Sequence, residues 1–206
     1  MNVLLINGSP HAHGCTDAAL QEIAKALNAD GIETTIYHIG AVPVGGCVGC
    51  GGCSKAGKCV FGSPVADVLP LVEKADGIVF GAPVHYATAA ASMLGFMHRL
   101  AISGGKYLRH KPAAVVTSAR RAGTTTALEA MEKVPQFFEM PLISSTYWPM
   151  VHGGKAEEVL SDEEGLQIMR NLGRNMAWML RCIEAGKAAG IAAPVAENDK
   201  RTNFIR

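Results

Sequence analysis

A chain of 206 residues with 49% apolar and 18% charged side chains is globular rather than disordered, and its length suits one domain with a tail. A formal net charge of +1 gives no electrostatic footprint for nucleic acid or an anionic membrane, and counts against a carrier that docks through a strong single-sign surface. The opening MNVLLINGSP has no basic leader, and no apolar run approaches the roughly 20 residues that span a bilayer, so a cytoplasmic protein without a membrane partner is expected.

Strand-like and helix-like segments alternate along the chain. Asn2–Ile6 is a short continuous apolar run, as in a strand covered on both faces. The segment from Thr16 to Leu27 follows with helical spacing, placing Ala19, Leu20, Ile23, Ala24 and Leu27 on one face. Thr34–Ile39 reads as a second strand, and the Gly- and Cys-rich stretch from Val42 to Ser63 as a loop. A short helix over Val65–Lys74 leads to a third strand at Gly77–Phe80, a helix over Ala89–Ile102 and a fourth strand at Ala113–Thr117. The pattern closes with a helix over Thr125–Phe138, a fifth strand at Leu142–Tyr147 and a long helix over Asp162–Ala185, capped by Ser161 or Asp162.

Five short apolar strands separated by helices predict an α/β doubly wound five-stranded parallel sheet with helices on both faces. The expected domain covers residues 1–186, carrying a cysteine loop at 43–62, with residues 187–206 as a C-terminal tail. Ligands of such sheets bind beyond the carboxyl ends of the strands. Three loops there carry polar or backbone-restricting residues: Asn7–Cys15, Ala82–Thr88 and Ser118–Thr124.

The first of these loops, Asn7-Gly8-Ser9-Pro10-His11-Ala12-His13-Gly14-Cys15-Thr16, combines glycines, two hydroxyls and a helix start, which together make an anion site. It lacks the Gly-Lys-Ser/Thr of a P-loop and the Gly-x-Gly-x-x-Gly of a dinucleotide fold. A terminal phosphate held by hydroxyls and backbone donors suits a mononucleotide; the competing reading is a turn in which Ser9 or Thr16 only caps the helix. Gly8-Ser9-Pro10 with Thr16 resembles the flavodoxin-like NAD(P)H-dependent FMN reductase family, in which a Gly-Ser-Pro-Arg…Asn-Thr segment wraps the FMN phosphate. The chain departs from it at His11 and Cys15, where the family often has Arg and Asn. The resemblance implies a flavodoxin-like fold, FMN as cofactor, and Ser9, His11, Gly14, Cys15 and Thr16 around the phosphate.

Ala82-Pro83-Val84-His85-Tyr86-Ala87 is similar to the family's Ser/Thr-Pro-Val-Tyr segment, which lies along the flavin edge. Pro83 stiffens the exit from the strand, the amides after it can bond flavin carbonyls, and Val84, His85 or Tyr86 can flank the ring. In the third loop Ser118, Arg120, Gly123 and Thr124 supply hydroxyl, amide and guanidinium donors at the same edge. Phe96-Met97-His98-Arg99 stands where the family often has a Phe-Asp-Arg run. The family further implies a nicotinamide nucleotide as co-substrate, a small-molecule or protein electron acceptor, and a homodimer or homotetramer whose neighbouring subunit completes the flavin site.

Four of the six cysteines form Cys47-x2-Cys50-x2-Cys53-x5-Cys59. Structural disulfides are not expected in a reducing cytosol. The compact spacing is that of [4Fe–4S] ligation, whereas zinc sites built from four cysteines use two knuckles further apart; zinc and a thiol-redox loop stay open as alternatives. The motif also resembles iron–sulfur flavoproteins, which implies a [4Fe–4S] cluster on Cys47, Cys50, Cys53 and Cys59 that relays single electrons. Cys182 reads as an ordinary buried residue, as does Cys15 apart from its place in the first loop. Three functions remain in competition: an FMN-dependent NAD(P)H oxidoreductase, a ferredoxin-linked electron-transfer protein and a thiol redox sensor.

Overall fold

A computed structural model describes residues 1–200, 202 and 204. Its frame is β1 (Asn2–Asn7), whose side chains alternate across the pleat. Val3 and Leu5 enter one core and Leu4 and Ile6 the other. The same division repeats in β3 (Gly77–His85), with Val79 facing one way and Ile78 and Phe80 the other. It repeats again in β5 (Ala113–Ala119), with Ala114 and Val116 opposed to Ala113 and Val115. Strands apolar on both faces need helices on both faces. These are α1 (Cys15–Ala29), the short α6 (Ala156–Val159) and α7 (Glu163–Ala188) on one side. On the other lie α3 (Val65–Lys74), α4 (Ala91–Gly104) and α5 (Thr124–Phe137).

Strand β2 (Glu33–His38) forms one edge and β6 (Met150–His152) the other. The parallel order is β2-β1-β3-β5-β6, the doubly wound order in which the chain reverses direction between β1 and β3. A two-residue strand, β4 (Thr88–Ala89), folds back antiparallel on the end of β3. Tyr86 and Ala87 between them both have positive φ, at 50° and 60°, as in the primed two-residue hairpin turn. Asp162 caps α7 by accepting from the Gly165 amide at 2.9 Å. That helix runs to Ala188 and residues 189–200 carry no regular element. Of the expected tail, Arg201, Asn203, Ile205 and Arg206 lie outside the described residues. No described helix is long and apolar enough to cross a membrane.

Two expectations are corrected. The fifth strand is Met150–His152 rather than Leu142–Tyr147, of which only Leu142 bridges to Ala113. The polar groups of that stretch turn to α7 instead: the Ser145 hydroxyl donates to the Ile168 carbonyl at 2.7 Å, and the Asn175 amide to the Ser144 carbonyl at 2.8 Å. Pairing with β5 resumes where the Thr117 amide reaches the Pro149 carbonyl at 3.0 Å. In addition, the cysteine loop holds two short turns of structure, including α2 (Gly52–Ala56).

Removing the fully buried ring in Phe80→Ala is expected to cost about 3–5 kcal/mol in urea unfolding. Tyr147→Ala, at a half-exposed side chain outside the sheet, should stay within about 0.5 kcal/mol; equal losses would contradict the strand assignment.

Candidate functional site

The register of β1 on β3 runs from Val3↔Gly77 to Asn7↔Gly81; β3 continues to His85, so the loop after β1 lies beside the last residues of β3. The Gly8 amide donates back to the Gly81 carbonyl at 2.8 Å. Asn7 then shapes the first loop. Its side-chain oxygen accepts from the Ser9 amide at 3.0 Å and its amide group donates to the Ala12 carbonyl at 3.2 Å. The Ser9 hydroxyl oxygen accepts from the His11 amide at 3.1 Å, which leaves its proton to donate elsewhere. His38, at the end of β2, bonds the Ser9 carbonyl at 2.7 Å.

Helix α1 starts after Gly14 with no side-chain cap, so its first amides point at the loop unclaimed by a side chain. Thr16 in its first turn shares a 2.9 Å hydroxyl bond with Ser118 at the end of β5, both buried. One strand over, the Thr117 hydroxyl donates to the Ala82 carbonyl at 2.8 Å. The start of α1 and the ends of β3 and β5 are thereby tied to one another by hydroxyls.

A cavity of about 560 Å³ opens among them, within the range of a small-molecule cofactor site. Ser9, His11, Gly14, Cys15 and Thr16 line it from the first loop; Pro83, Val84 and His85 from the second; Ser118 and Arg120 from the third. Tyr86, Gly123 and Thr124 do not line it. Tyr86 is fully exposed at the hairpin tip and Thr124 is buried in the first turn of α5. Gly123, at φ 92°, underlies the hairpin, where a Cβ would stand 2.6 Å from the Ala87 Cα.

A fourth wall comes from Gly153, Gly154, Lys155, Ala156 and Glu157, which the sequence reading missed. They are the loop after the true fifth strand and the first residues of α6. The Cys15 thiol donates to the Gly153 carbonyl at 3.4 Å, joining this wall to α1. Burial is the main cause raising the Cys15 pKa, with Glu158 and Glu157 adding to it, so the thiol carries no charge into the site at neutral pH. Another cavity of about 540 Å³ lies under residues 142–149 at the sheet edge. It is the gap left by the irregular segment there, away from the convergent strand ends.

The chemistry of the main cavity suits a phosphorylated planar cofactor. The donors are hydroxyls, uncapped helix amides and the flanking His11, His13, Arg120 and Lys155. Pro83 and Val84 give an apolar strip beside them.

The cysteine loop forms a second, smaller cavity of about 200 Å³, lined by all four of its cysteines together with Arg99, Ile102 and Ser103 of α4. Cys47 and Cys50 are exposed and Cys53 and Cys59 half-buried. Among the described residues no three His, Cys, Asp or Glu side chains are gathered as for one ion; the four thiols share the lining of this cavity. Their loop is short of regular structure, and in such loops metal–sulfur bonds themselves set the ligand geometry. Four soft donors on one cavity still match a thiolate-bound centre. Cys182 is exposed rather than buried, since α7 turns it outward.

A family model described as NADPH-dependent FMN reductase matches residues 1–155. An iron–sulfur flavoprotein of Methanocaldococcus jannaschii is 29% identical over 89% of this chain and all of its own length. An iron–sulfur flavoprotein of Archaeoglobus fulgidus is 33% identical over 60% of this chain and 62% of its own. Among solved structures, RosB with a bound 8-demethyl-8-formylriboflavin-5'-phosphate intermediate superposes at a TM-score of 0.70, with 13% identity, over 100% of this chain and 92% of its own. A WrbA-like flavodoxin of Agrobacterium tumefaciens superposes at 0.64, with 15% identity, over 88% of this chain and 98% of its own. At these identities the structures show a shared flavodoxin-like fold.

The raised Cys15 pKa has a direct readout. Alkylation of Cys15 by iodoacetamide, followed by peptide mass spectrometry, is expected to lag behind a free thiol at neutral pH and to accelerate only above the ordinary thiol range of about 8.5. Labelling at the free-thiol rate would contradict a buried, uncharged thiol.

Proposed function

The chain belongs to the NADPH-dependent FMN reductase family, and from that premise we propose that it holds FMN in the cavity between the three strand-end loops and oxidises NADH or NADPH. It is a flavin oxidoreductase; its acceptor is a small molecule or protein that accepts electrons from the bound flavin. The observation that carries the reading is the uncapped start of α1 facing Ser9 inside a 560 Å³ cavity.

FMN bound there supplies the interconversion of two-electron and one-electron transfer. The protein's own groups bind and orient it. Ser9, His11, Gly14, Cys15 and Thr16 would hold the phosphate, with Lys155 supplying a nearby cation. The neutral Cys15 thiol adds no repulsion, and the Thr16–Ser118 hydroxyl pair keeps α1 and β5 at a fixed separation. Pro83, Val84 and His85 would flank the ring, with Ser118 and Arg120 closing the opposite side. Tyr86, Gly123 and Thr124 act at one remove. The αL turn at Tyr86–Ala87 sits on Gly123, so it presents Tyr86 outward, towards a nicotinamide nucleotide, an acceptor or a second copy of the chain in a homodimer or homotetramer.

Cys47, Cys50, Cys53 and Cys59 would hold a [4Fe–4S] centre, which supplies single-electron relay. Support comes from their spacing, from the one cavity they line and from the iron–sulfur flavoproteins among the relatives. That cavity also favours a second reading, electron exchange with a protein such as ferredoxin.

Anaerobically purified protein is expected to show flavin absorption, bleached by NADH or NADPH. Reduction by ferredoxin and by neither nucleotide would move the assignment to the second reading, and a protein that refuses added FMN would end both. Ser9→Asp places a negative charge beside the phosphate site and should weaken FMN by about ten-fold or more while sparing riboflavin, consistent with a charge-assisted contact of about 1.5–3 kcal/mol. Equal losses for the two flavins, measured by fluorescence titration, would contradict the phosphate assignment.

A further inference from the structure

Helix α4 presents one face to the cysteine loop. Ser92, Gly95, Arg99 and Ser103 fall at helical spacing on that face. The Ser92 hydroxyl accepts from the Val44 amide at 3.4 Å, where the loop begins. One turn on, Gly95 is bare, and a Cβ there would run into the Val44 carbonyl oxygen. The next position on the face is Arg99. Its Nε donates to the Cys59 sulfur at 3.3 Å and its Nη2 to the Gly62 carbonyl at 3.1 Å, where the loop ends. Ser103 completes the stripe by donating back to the Arg99 carbonyl at 2.8 Å.

Arg99 is the one charged side chain among the buried residues described, with 8% of its surface exposed. Among the described residues no carboxylate lies within 4.0 Å of it; the ion pairs all lie elsewhere. The residue before it is His98, exposed and not acidic. A guanidinium is protonated at every accessible pH, so a positive charge is permanently buried without an opposite charge from the protein. Such burial is unfavourable unless an anion completes the pair. The guanidinium lines the same cavity as Cys47, Cys50, Cys53 and Cys59, whose other walls include Val60, Phe61 and Ile102. Those apolar walls would strengthen any charge interaction inside.

We propose that Arg99 is the positioning residue of the cysteine loop and the fixed countercharge of the anionic sulfur centre held by its four thiolates. This rests on the reading of the loop as a [4Fe–4S] site. The balance is simple. One electron, from reduced flavin in turnover or from dithionite in an experiment, makes the centre one unit more negative. Arg99 is protonated before and after, and no proton, bond or leaving group moves. A nearby fixed positive charge and a donor to a ligand sulfur both stabilise the more negative state, so Arg99 raises the reduction potential of the centre.

The test uses the full chain, purified anaerobically and reconstituted with iron and sulfide, with FMN content, iron, acid-labile sulfide and the midpoint potential read on each sample. In Arg99→Gln the potential of the centre is expected to fall while FMN content is unchanged. In Arg99→Lys, which keeps the charge and loses the fork, the potential should stay close to that of the parent. Loss of iron to a chelator should nevertheless speed up by about ten-fold or more. An iron-loaded Arg99→Gln with an unmoved potential would overturn the role of Arg99 and leave the cluster reading standing. If Arg99→Gln does not fold, Arg99→Lys decides: an unchanged rate of iron loss overturns the proposal. A parent chain that takes up no iron overturns the cluster reading and this proposal together.

Discussion

The parallel pairing of β1 with β3 is the constraint on which the rest depends. Both strands are buried on both faces, so their register is fixed by two cores at once, and a one-residue slip would exchange every side chain between them. That register brings Gly8 and Gly81 to the same level and holds them with a 2.8 Å backbone bond. The chain leaves the two strand ends in opposite directions, towards β2 and towards β5. A crevice therefore opens between them for topological reasons, before any side chain is chosen. The hydroxyls of Ser9, Thr16 and Ser118 then make it polar, and the start of α1 makes it favourable to an anion.

The cysteine loop depends on the same frame at one remove. It hangs between β2 and α3 with little regular structure of its own, so its position must come from what it leans on. That support is α4, which is held in the core by Met93, Phe96, Met97 and Leu100 and turns its remaining face to the loop. The core face of the helix sets its rotation. The rotation in turn decides that Gly95 and Arg99, rather than His98, meet Val44 and Cys59.

The helices were legible from their clear period, and the first four strands from short apolar or β-branched runs set between them. The first and second loops were legible because Gly, Pro and hydroxyl residues cluster at strand ends. What was missed follows from one error. Leu142–Tyr147 begins with two apolar residues and ends on an aromatic, and so has the composition of a strand. Only its first residues reach β5, where the Ile143 amide donates to the Ala113 carbonyl at 2.8 Å; Ser144, Ser145 and Thr146 are taken by Asn175, Ile168 and Asn171 of α7, and such distant contacts leave no local signature. With the strand placed early, Gly153-Gly154-Lys155 lost its place as a strand-end loop. The pair of glycines after Met150–His152 was the available signal. The outward turn of Tyr86 had no signal either: an aromatic beside a flavin-like segment reads as a ring contact, while the two positive φ values at Tyr86 and Ala87 are invisible in residues other than glycine.

The start of α4 stands between the main cavity and the cysteine loop. A smaller cavity of about 220 Å³ shares Pro10 and His85 with the larger one and is closed by Gly40–Pro43 and Ala90–Ser92. Ser92 in turn holds Val44 at the mouth of the cysteine loop. A change at the first turn of α4 that rotates the helix would be felt at Arg99 two turns later, because a helix transmits rotation along its axis as a unit. The order of small residue, bare glycine and arginine along one face lets the helix hold the cysteine loop at a fixed place beside the sheet while turning a single charge towards it.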